Sequence, residues 1–342
     1  MIKKIFLGSL IIIVLICAAS GLYLYSIVNK NIDEHFDGTC TDFEMTGSGE
    51  DVQIDRARGK AYVSLFDRMA GVKGEHPGPG DILQVDLTRT PPEGKSVIAD
   101  GPKLHPHGIS LFIDQAWQRH LYVINHPDDR ATGKEKIERY LENSFGMFQH
   151  QETLMSPLIT RANDMVVVGD RQFYVAQDVD RKSGVKLTDL VYFDGNDYSV
   201  VADDIQSGGG INVSADYKTL YISETGGKRI RVVSRDSSDG SVKTIQNINL
   251  ETSPDNIDVA EDGSLWVGAH SNIVALVMHF IMGTNAPSQV LRVDLSGTEP
   301  QVKEIYLNKG EQISTSSGGT TYNNKLLIGS ITARKLLICE MD

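Results

Sequence analysis

The sequence predicts an all-β chain that folds as a six-bladed β-propeller, preceded by one N-terminal transmembrane helix. Three observations support this prediction: a strand–turn–strand pattern recurs six times, further strand-like runs separate the recurrences, and a long uncharged segment lies near the N-terminus. Recurrence of one supersecondary unit at a period of about 20–50 residues is typical of solenoids, arrays and propellers. The prediction divides the chain into a signal-anchor helix over 1–30 and a propeller domain over 31–342.

The N-terminal helix is predicted from charge and length. Lys3 and Lys4 precede an uncharged run over residues 5–28, and Asp33 and Glu34 follow it. A helix of this length can cross a bilayer. The positive end is expected to stay in the cytoplasm, which places the propeller in a periplasmic, extracellular or lumenal space. The alternative is a cleaved signal peptide, for which "CAAS" offers small residues, and the protein would then be secreted.

The six recurring units each combine an alternating strand, a short polar turn and an apolar triplet, which is aromatic at its centre in five of them. They begin with "DVQIDRARGKAYVS", "GISLFIDQAWQRHLYVIN" and "NDMVVVGDRQFYVAQ", and continue with "GINVSADYKTLYISE", "NIDVAEDGSLWVGAH" and "GTTYNNKLLIGS". Such units are typical of β-hairpins. The triplet centres lie between 45 and 61 residues apart, at Tyr62, Tyr122, Tyr174, Tyr221, Trp266 and Leu327.

Further strand-like runs lie between the hairpins, including "DILQVDL", "LTDLVYF", "IRVVSR" and "SQVLRVDL". We expect them to form the outer strands of the blades, because radial repetition protects sheet edges. The segment 131–145 could instead contain part of a helix. The alternative architecture is a large β-sandwich or two small barrels, which would not explain six similar units.

Three cysteines are present, and two of them frame the propeller. Cys17 lies in the apolar N-terminal run, whereas Cys40 and Cys339 lie near the two ends of the remaining chain. In an exported protein this placement predicts a disulfide that joins the first and last blades. Two unrelated free thiols are the alternative.

The net charge of −12 argues against a general nucleic-acid-binding protein, which would show a basic patch. An acidic chain suits metal cations or neutral substrates better. The segment 273–283, "IVALVMHFIMG", is too short to span a membrane. It could rest on a bilayer, form the wall of an apolar substrate pocket, or be an ordinary buried segment.

Mostly polar or small residues recur at the start of the first strand of each hairpin, where blades converge on the central channel. The residues at these positions are Glu50, Asp51, His107, Gly108, Ile109, Asn163, Asp164, Gly208–Asn212, Asp255, Asn256 and Ser316–Gly319. Converging carboxylate and amide oxygens predict a hard cation, and Ca²⁺ fits better than Mg²⁺, which demands strict octahedral geometry. Any one pair could equally be ordinary turn residues, but the same position in successive repeats favours metal sites.

Taken together, these motifs resemble the paraoxonases, a family of calcium-dependent arylesterases and lactonases with a six-bladed propeller. The resemblance rests on "GSGED" (47–51), "HPHGIS" (105–110), "VINHPD" (123–128) and "ANDMVVVG" (162–169). It continues through "DNIDV" (255–259), "LWVGAH" (265–270) and the terminal "KLLICE". The matched motifs run in order from about residue 38 to the end of the chain.

The resemblance implies two calcium ions in the channel, one catalytic and one structural. The catalytic ion would be held by Glu50, Asn163, Asp255 and Asn256, and the structural ion by Asp51, Asp164 and the carbonyl oxygen of Ile109. His107 and His126 match the family's histidine pair, and Cys40 and Cys339 match its disulfide. The family's uncleaved N-terminus agrees with the predicted anchor.

Two departures from the family pattern stand out. A further amide ligand of the catalytic calcium lies in an Asn-Gly-Ile-Asn context, where this chain has "GGGIN", so Gly209 offers no side chain. Water, a backbone carbonyl or Asn212 could substitute. The loop "LFDRMAGVKGEHPGPG" also lacks the family's flap pattern, so substrate preference is not carried over.

The predicted activity is hydrolysis of lactones and aryl esters. Calcium would polarise the carbonyl, His107 would deprotonate water, and His126 would orient or relay the proton. No "GxSxG" motif supports a serine nucleophile. His105 is predicted to be peripheral. The alternatives are a calcium-stabilised, membrane-anchored propeller that binds a ligand without turnover, phosphotriester hydrolysis, and a condensation like that of strictosidine synthase.

Overall fold

Six four-stranded antiparallel sheets surround a central axis in this structure, a computed structural model that describes residues 32–179 and 186–342. In five of the sheets the four strands are consecutive along the chain, and in the sixth the first strand pairs with the last. The predicted all-β, six-bladed propeller is therefore confirmed, and the sandwich and two-barrel alternatives are wrong. The predicted N-terminal anchor over 1–30 lies outside the described residues.

The first strand, β1 (Gly38–Glu44), precedes the blades. Blade I contains β2 (Ser48–Asp55), β3 (Lys60–Phe66), β4 (Asp81–Asp86) and β5 (Glu93–Ser96). Blade II contains β6 (Pro106–Ile113), β7 (Arg119–Asn125), β8 (Lys136–Glu142) and β9 (Phe148–Leu154). Blade III contains β10 (Ala162–Gly169), β11 (Gln172–Gln177), β12 (Thr188–Phe193) and β13 (Tyr198–Ile205).

The remaining blades follow the same pattern. Blade IV contains β14 (Gly208–Val213), β15 (Thr219–Glu224), β16 (Arg229–Arg235) and β17 (Val242–Asn249). Blade V contains β18 (Ser253–Val259), β19 (Leu265–His270), β20 (Ser288–Asp294) and β21 (Gln301–Asn308). Blade VI contains β22 (Ser316–Tyr322), β23 (Lys325–Ser330) and β24 (Lys335–Met341), and β1 completes it as the outermost strand.

The triplet centres of the sequence repeat all lie on the second strand of their blade and are buried. Tyr62, Tyr122 and Tyr174 are each 0% exposed, and Trp266 and Leu327 occupy the equivalent place in later blades. Their side chains fill the spaces between neighbouring sheets, where burial of one large side chain stabilises the fold by roughly 1.5–3 kcal/mol. The repeat is therefore a packing requirement: each blade needs one bulky side chain at this level.

The segment 131–145 contains no helix, so the interpretation of part of it as helical is wrong. Residues Lys136–Glu142 form β8, and they are bonded to β7 on one side and β9 on the other. Buried and partly exposed side chains roughly alternate along β8, as a strand with a neighbouring sheet on each face requires. The strand partners outweigh the high helix propensity of its Glu and Lys residues.

Two short helices are described, α1 (Arg68–Val72) and α2 (Ile273–Met282). Helix α2 begins after Asn272, whose side chain accepts a hydrogen bond from Ala275 N, and ends at Gly283 in the left-handed conformation. Its face around Leu276 is buried, whereas Ile281 is 70% exposed. Over residues 32–179 and 186–342, no helix is long and apolar enough to span a membrane.

The ring is closed by strand pairing together with a disulfide. Strand β1 pairs with β24 so that Cys40 lies directly opposite Cys339, and the two form a disulfide with a Cα–Cα distance of 3.9 Å. The predicted disulfide is confirmed. It joins two strands of the last blade, however, and does not bridge from the first blade to the last, because β1 is itself a strand of blade VI.

Removal of this disulfide is expected to weaken the protein without changing its fold. The bond links residues 299 positions apart, so the double variant Cys40→Ser/Cys339→Ser should lose about 2–5 kcal/mol of unfolding free energy. The paired strands β1 and β24 should keep the native arrangement. Urea denaturation followed by circular dichroism measures the loss, and Cys17→Ser is the control. An unchanged midpoint in the double variant would contradict this expectation.

Candidate active site and metal centre

The innermost strands of all six blades share one irregularity close to their first residues. Their pairing with the second strand shifts register there, at Gly49/Val52, Pro106/Ile109, Ala162/Asp164, Gly208/Ile211, Pro254/Ile257 and Ser316/Gly318. A bulge of this kind interrupts the strict alternation of side chains and re-aims them. Consecutive polar residues at the predicted positions can therefore both contact neighbouring blades around the axis.

Four predicted ligands of the catalytic metal lie on three of these innermost strands. Asn256 donates from Nδ2 to both Oε1 and the carbonyl oxygen of Glu50, each at 3.0 Å, which ties blade V to blade I across the axis. Asp255 Oδ2 is 3.1 Å from His270 Nε2. The hydroxyl of Ser317 also donates to the carbonyl oxygen of Glu50. Asn163 lies on β10.

The predicted structural pair, Asp51 and Asp164, accepts backbone hydrogen bonds from neighbouring blades. Asp51 Oδ2 accepts from Ile109 N at 2.7 Å, and Asp164 Oδ2 accepts from Ile211 N at 2.8 Å. A second oxygen of Asp164 accepts from Met165 N at 2.7 Å. These bonds fix both carboxylates in the interior, where Asp51 is 3% exposed and Asp164 is 2% exposed.

The chemistry of this cluster fits a hard cation. Among the buried oxygens that have no hydrogen-bond partner within the described part of the chain are Glu50 Oε2, Asn163 Oδ1 and Asn256 Oδ1. All three belong to the predicted ligands, and an unpartnered buried oxygen is costly unless something compensates it. Over residues 32–179 and 186–342, no three His, Cys, Asp or Glu side chains form a metal-binding group, so amide and carbonyl oxygens are needed to complete the set, as calcium allows.

The electrostatics support the same assignment. Burial, and then the charge of Asp255, raises the pKa of Glu50 to about 8, and burial raises the pKa of Asp51 to about 7. Burial followed by the charge of Asp51 raises the pKa of Asp164 well above its usual value. Arg68 is the cation that opposes this effect at Glu50. A divalent ion among these groups would favour their ionised forms.

The predicted histidine pair lies beside this cluster. The rings of His107 and His126 have centroids 4.7 Å apart, and His107 Nε2 is 3.8 Å from Glu50 Oε1. Burial lowers the pKa of both histidines well below the usual value. Arg68, at the start of α1, donates to the carbonyl oxygen of Pro106 at 2.6 Å and lies 3.5 Å from His107 Nδ1. Both rings are therefore held in the neutral state that a proton acceptor requires.

Two residues that sequence reasoning missed support His126. Its Nδ1 is 2.6 Å from Glu135 Oε2, and Arg130 donates to Glu135 Oε1 at 2.9 Å. Glu135 immediately precedes β8, and Asn125 pairs with Lys136 in the ladder. Extending that register by one pair places His126 opposite Glu135. This inference needs the pairing of β7 with β8, which the sequence alone does not give.

The other histidines take different places. His105 packs against Phe66, with ring centroids 4.6 Å apart, and its Nε2 lies 3.4 Å from Asp128. His105 is 8% exposed, and neither of these two partners belongs to the predicted ligand set. His270 is 5% exposed and reaches Asp255 directly.

Thr225 occupies the space opened by Gly209. A Cβ atom at Gly209 would lie 2.7 Å from Thr225 Oγ1 and 3.5 Å from Asp255 Oδ1. Thr225 in turn donates to the carbonyl oxygen of Pro254 at 2.8 Å. The amide of Asn212 is engaged elsewhere, since it donates to Ile257 O and accepts from Val213 N. Backbone groups therefore engage both ends of the Asn212 amide, and Thr225 fills the space that a side chain at position 209 would need.

Restoring an amide at position 209 is expected to strengthen calcium binding only when Thr225 is truncated. Gly209→Asn alone would force Thr225 from its bond to Pro254, at a cost of about 1 kcal/mol. Gly209→Asn/Thr225→Ala should bind calcium roughly 3- to 10-fold more tightly than Thr225→Ala. Isothermal titration calorimetry measures both. Equal affinities for these two variants would show that position 209 does not face the metal.

A cavity of about 1250 Å³ opens beside Arg130 and Glu135, the two residues that support His126. Its wall is partly charged and partly apolar, and includes Arg130, Glu135, Met155, Ile159, Arg161 and Phe280. Phe280 comes from α2, so the apolar segment 273–283 contributes to the wall of a pocket, one of the roles predicted for it. The cavity is large enough to accept a small organic substrate.

Comparison with known proteins places this arrangement in a family. The arylesterase family model matches residues 48–341. The chain is 32% identical over 315 residues to serum paraoxonase/arylesterase 1 from Homo sapiens, which covers 86% of each protein. It is 30% identical over 315 residues to serum paraoxonase/lactonase 3 from Mus musculus, covering 87% of each.

Solved structures with much lower identity share the fold. A luciferin-regenerating enzyme superposes with a TM-score of 0.53 at 12% identity, over 89% of this chain and 95% of that chain. A gluconolactonase from Xanthomonas campestris superposes with a TM-score of 0.53 at 15% identity, over 92% and 99%. The sequence match spans almost the whole propeller, and the predicted resemblance is confirmed: the chain belongs to the paraoxonase/arylesterase family.

Proposed function

We propose that the protein is a calcium-dependent hydrolase of lactones and aryl esters. One observation carries the proposal: the three unpartnered buried oxygens of Glu50, Asn163 and Asn256 lie beside a neutral histidine pair. The relatives named above are a paraoxonase/arylesterase and a paraoxonase/lactonase, which favours hydrolysis of esters and lactones over condensation.

The residues present suit two calcium ions. The catalytic ion would be held by Glu50, Asn163, Asp255 and Asn256, and the structural ion by Asp51, Asp164 and the carbonyl oxygen of Ile109. When bound, the catalytic ion supplies a Lewis acid for the substrate carbonyl and stabilises the developing oxyanion.

His107 and His126 accept the proton that the attacking water loses. His107 Nε2 faces Glu50 and accepts a proton from the attacking water, and His126 stabilises the protonated ring or receives the proton. No covalent intermediate forms. The cavity beside Arg130 and Glu135 accepts the rest of the substrate, and Phe280 supplies an apolar surface there.

Turnover of defined substrates tests this function. The purified protein is assayed on aliphatic lactones and aryl acetates in saturating calcium, and again after treatment with EGTA. We expect hydrolysis that depends on calcium and returns when calcium is restored. Absence of turnover in saturating calcium would favour the second candidate, a calcium-stabilised propeller that binds a ligand without hydrolysing it. The specific observation in favour of that candidate is Gly209, which removes one expected metal ligand.

We also propose that residues 1–30 anchor an exported propeller to a membrane. The Cys40–Cys339 disulfide supports export, because such bonds persist in oxidising compartments. The exposed Ile281 and Met282 of α2 could add a second contact with lipid.

The full chain is expected to sediment with membranes, whereas a chain of residues 32–342 should stay in the supernatant. Fractionation by ultracentrifugation separates the two outcomes, and alkaline carbonate washing distinguishes an embedded helix from a peripheral contact. If full chain and truncated chain partition alike, the anchor is absent or cleaved. Ile281→Ser/Met282→Ser in the truncated chain tests the contribution of α2 separately.

A further inference from the structure

Glu135 is a buried carboxylate that contacts the ring of His126. It is 3% exposed, and each of its oxygens has its own partner. Oε2 lies 2.6 Å from His126 Nδ1, and Oε1 accepts from Arg130 Nε at 2.9 Å. Arg130 in turn donates to the carbonyl oxygen of Ala162 at 2.9 Å. The carboxylate is therefore fixed between a cation and the histidine and cannot rotate freely.

This contact determines where His126 carries its proton. An ionised carboxylate is only an acceptor, so a 2.6 Å contact requires a proton on Nδ1. Burial raises the pKa of Glu135, but the guanidinium of Arg130 opposes that effect and favours the ionised form. In neutral His126 the lone pair must then lie on Nε2.

The surroundings of Nε2 agree with this assignment. His126 Nε2 is buried and has no hydrogen-bond partner within the described residues. The ring of His107 lies next to it, with centroids 4.7 Å apart. The competing donor at His107 is Arg68, whose contact of 3.5 Å with Nδ1 is at the upper limit for a hydrogen bond. Sharing of a proton between His107 Nδ1 and His126 Nε2 therefore requires the two rings to move closer together, as catalytic hydrogen bonds do when substrate binds.

We propose that Glu135 is a positioning residue that fixes His126 in the Nδ1–H form, so that protons pass from His107 toward Nε2 of His126. This proposal rests on the proposed function for its catalytic consequence. As water attacks the acyl carbon, its proton moves to His107 Nε2, and the proton on His107 Nδ1 is shared with His126 Nε2. When the acyl–oxygen bond breaks, the pair returns one proton to the departing oxygen, and no other reactant is needed.

A purely structural role is the competing explanation, because Glu135 also ties the start of β8 to blade III through Arg130. The chain offers a matched control in Glu138, which lies three residues further along, within β8. Glu138 is 0% exposed and also binds a histidine, with His150 Nε2 at 2.9 Å from its Oε2. Glu138→Gln therefore removes a buried carboxylate–histidine pair outside the catalytic pair.

The effect of Glu135→Gln can be predicted because the guanidinium of Arg130 can only donate hydrogen bonds. The carboxamide oxygen must turn toward Arg130, which directs its NH₂ group at His126 Nδ1. Nδ1 then has to accept, and the proton moves to Nε2. We expect kcat to fall by roughly 10- to 100-fold with little change in KM. Glu135→Asp, which keeps a carboxylate, should recover part of this loss.

The test combines nuclear magnetic resonance with kinetics on the full-length protein. Ring ¹⁵N shifts of histidine-labelled protein report which nitrogen is protonated, and His126→Gln assigns the resonances. The proposal predicts Nδ1–H in the native protein and in Glu138→Gln, and Nε2–H in Glu135→Gln. An Nε2–H form in the native protein, or an unchanged form and unchanged kcat in Glu135→Gln, would overturn it. The predicted shifts without any lactone turnover would support Glu135 as a positioning residue and contradict only the proposed function.

Discussion

Chelation of calcium is expected to abolish lactone and ester turnover and to lower the melting temperature by roughly 5–15 °C. The reason lies in the interior of the ring, where Glu50, Asp51 and Asp164 are almost completely buried. Without a cation these carboxyl groups must either take up protons or stay charged without compensation, and both states cost folding free energy. Differential scanning fluorimetry with and without EGTA measures the shift, and an ester assay on the same samples measures activity.

Variants can separate the two predicted ions. Asn163→Ala should reduce activity with a small effect on melting temperature, whereas Asp164→Asn should lower both, because Asp164 also accepts two backbone hydrogen bonds. Asp262→Asn is the control, since that carboxylate lies at an exposed turn and bonds to Ser264 and Arg292. Full turnover after complete removal of calcium would rule out the metal mechanism.

Replacement of His107 is the second change with a large expected effect. His107→Gln should reduce kcat by roughly 10²- to 10⁴-fold, the usual contribution of a positioned proton acceptor. The ring of His107 has only long polar contacts, at 3.5 Å with Arg68 and 3.8 Å with Glu50, so calcium content and melting temperature should change little. Steady-state kinetics on phenyl acetate and a lactone measure the effect.

The matched control for His107 is His120, a buried histidine near the start of β7. It bonds to Asp114 at 3.2 Å, so His120→Gln also removes a histidine–carboxylate pair. We expect this variant to keep its activity. If His107→Gln retained the native rate, the histidine would have no role in proton transfer, although the metal could still polarise the carbonyl.

The fold was predictable because its signal is local. Each hairpin carries alternating burial, a polar turn and a bulky residue at one level, and these features can be read within about 15 residues. Where contacts with distant segments determine the structure of a segment, its nearby residues do not predict that structure. Lys136–Glu142 has the composition of a helix, and only its bonds to β7 and β9 make it a strand. The pairing of β1 with β24, at opposite ends of the sequence, has no local signal.

Some residues of the candidate site could also be predicted from the sequence, and others could not. Polar residues at the starts of innermost strands were visible because they repeat, and the structure brings Glu50 and Asn256 into contact. Glu135, Arg130 and Thr225 do not repeat. Each lies beyond the innermost strands and reaches the site only through strand register or a side-chain contact. Residues of this kind can be found only once the blades are assembled.

The place of β1 in the last blade has a consequence for biosynthesis. Residues 38–44 are synthesised long before their partners at 335–341. Five blades can form from contiguous chain as it emerges, while the sixth must wait for residues 335–341. Until then β1 has to remain without its native partner, and the free edge of blade VI is open to pairing with another chain. The period before residues 335–341 emerge is therefore a stage at which the unpaired β1 exposes the chain to aggregation.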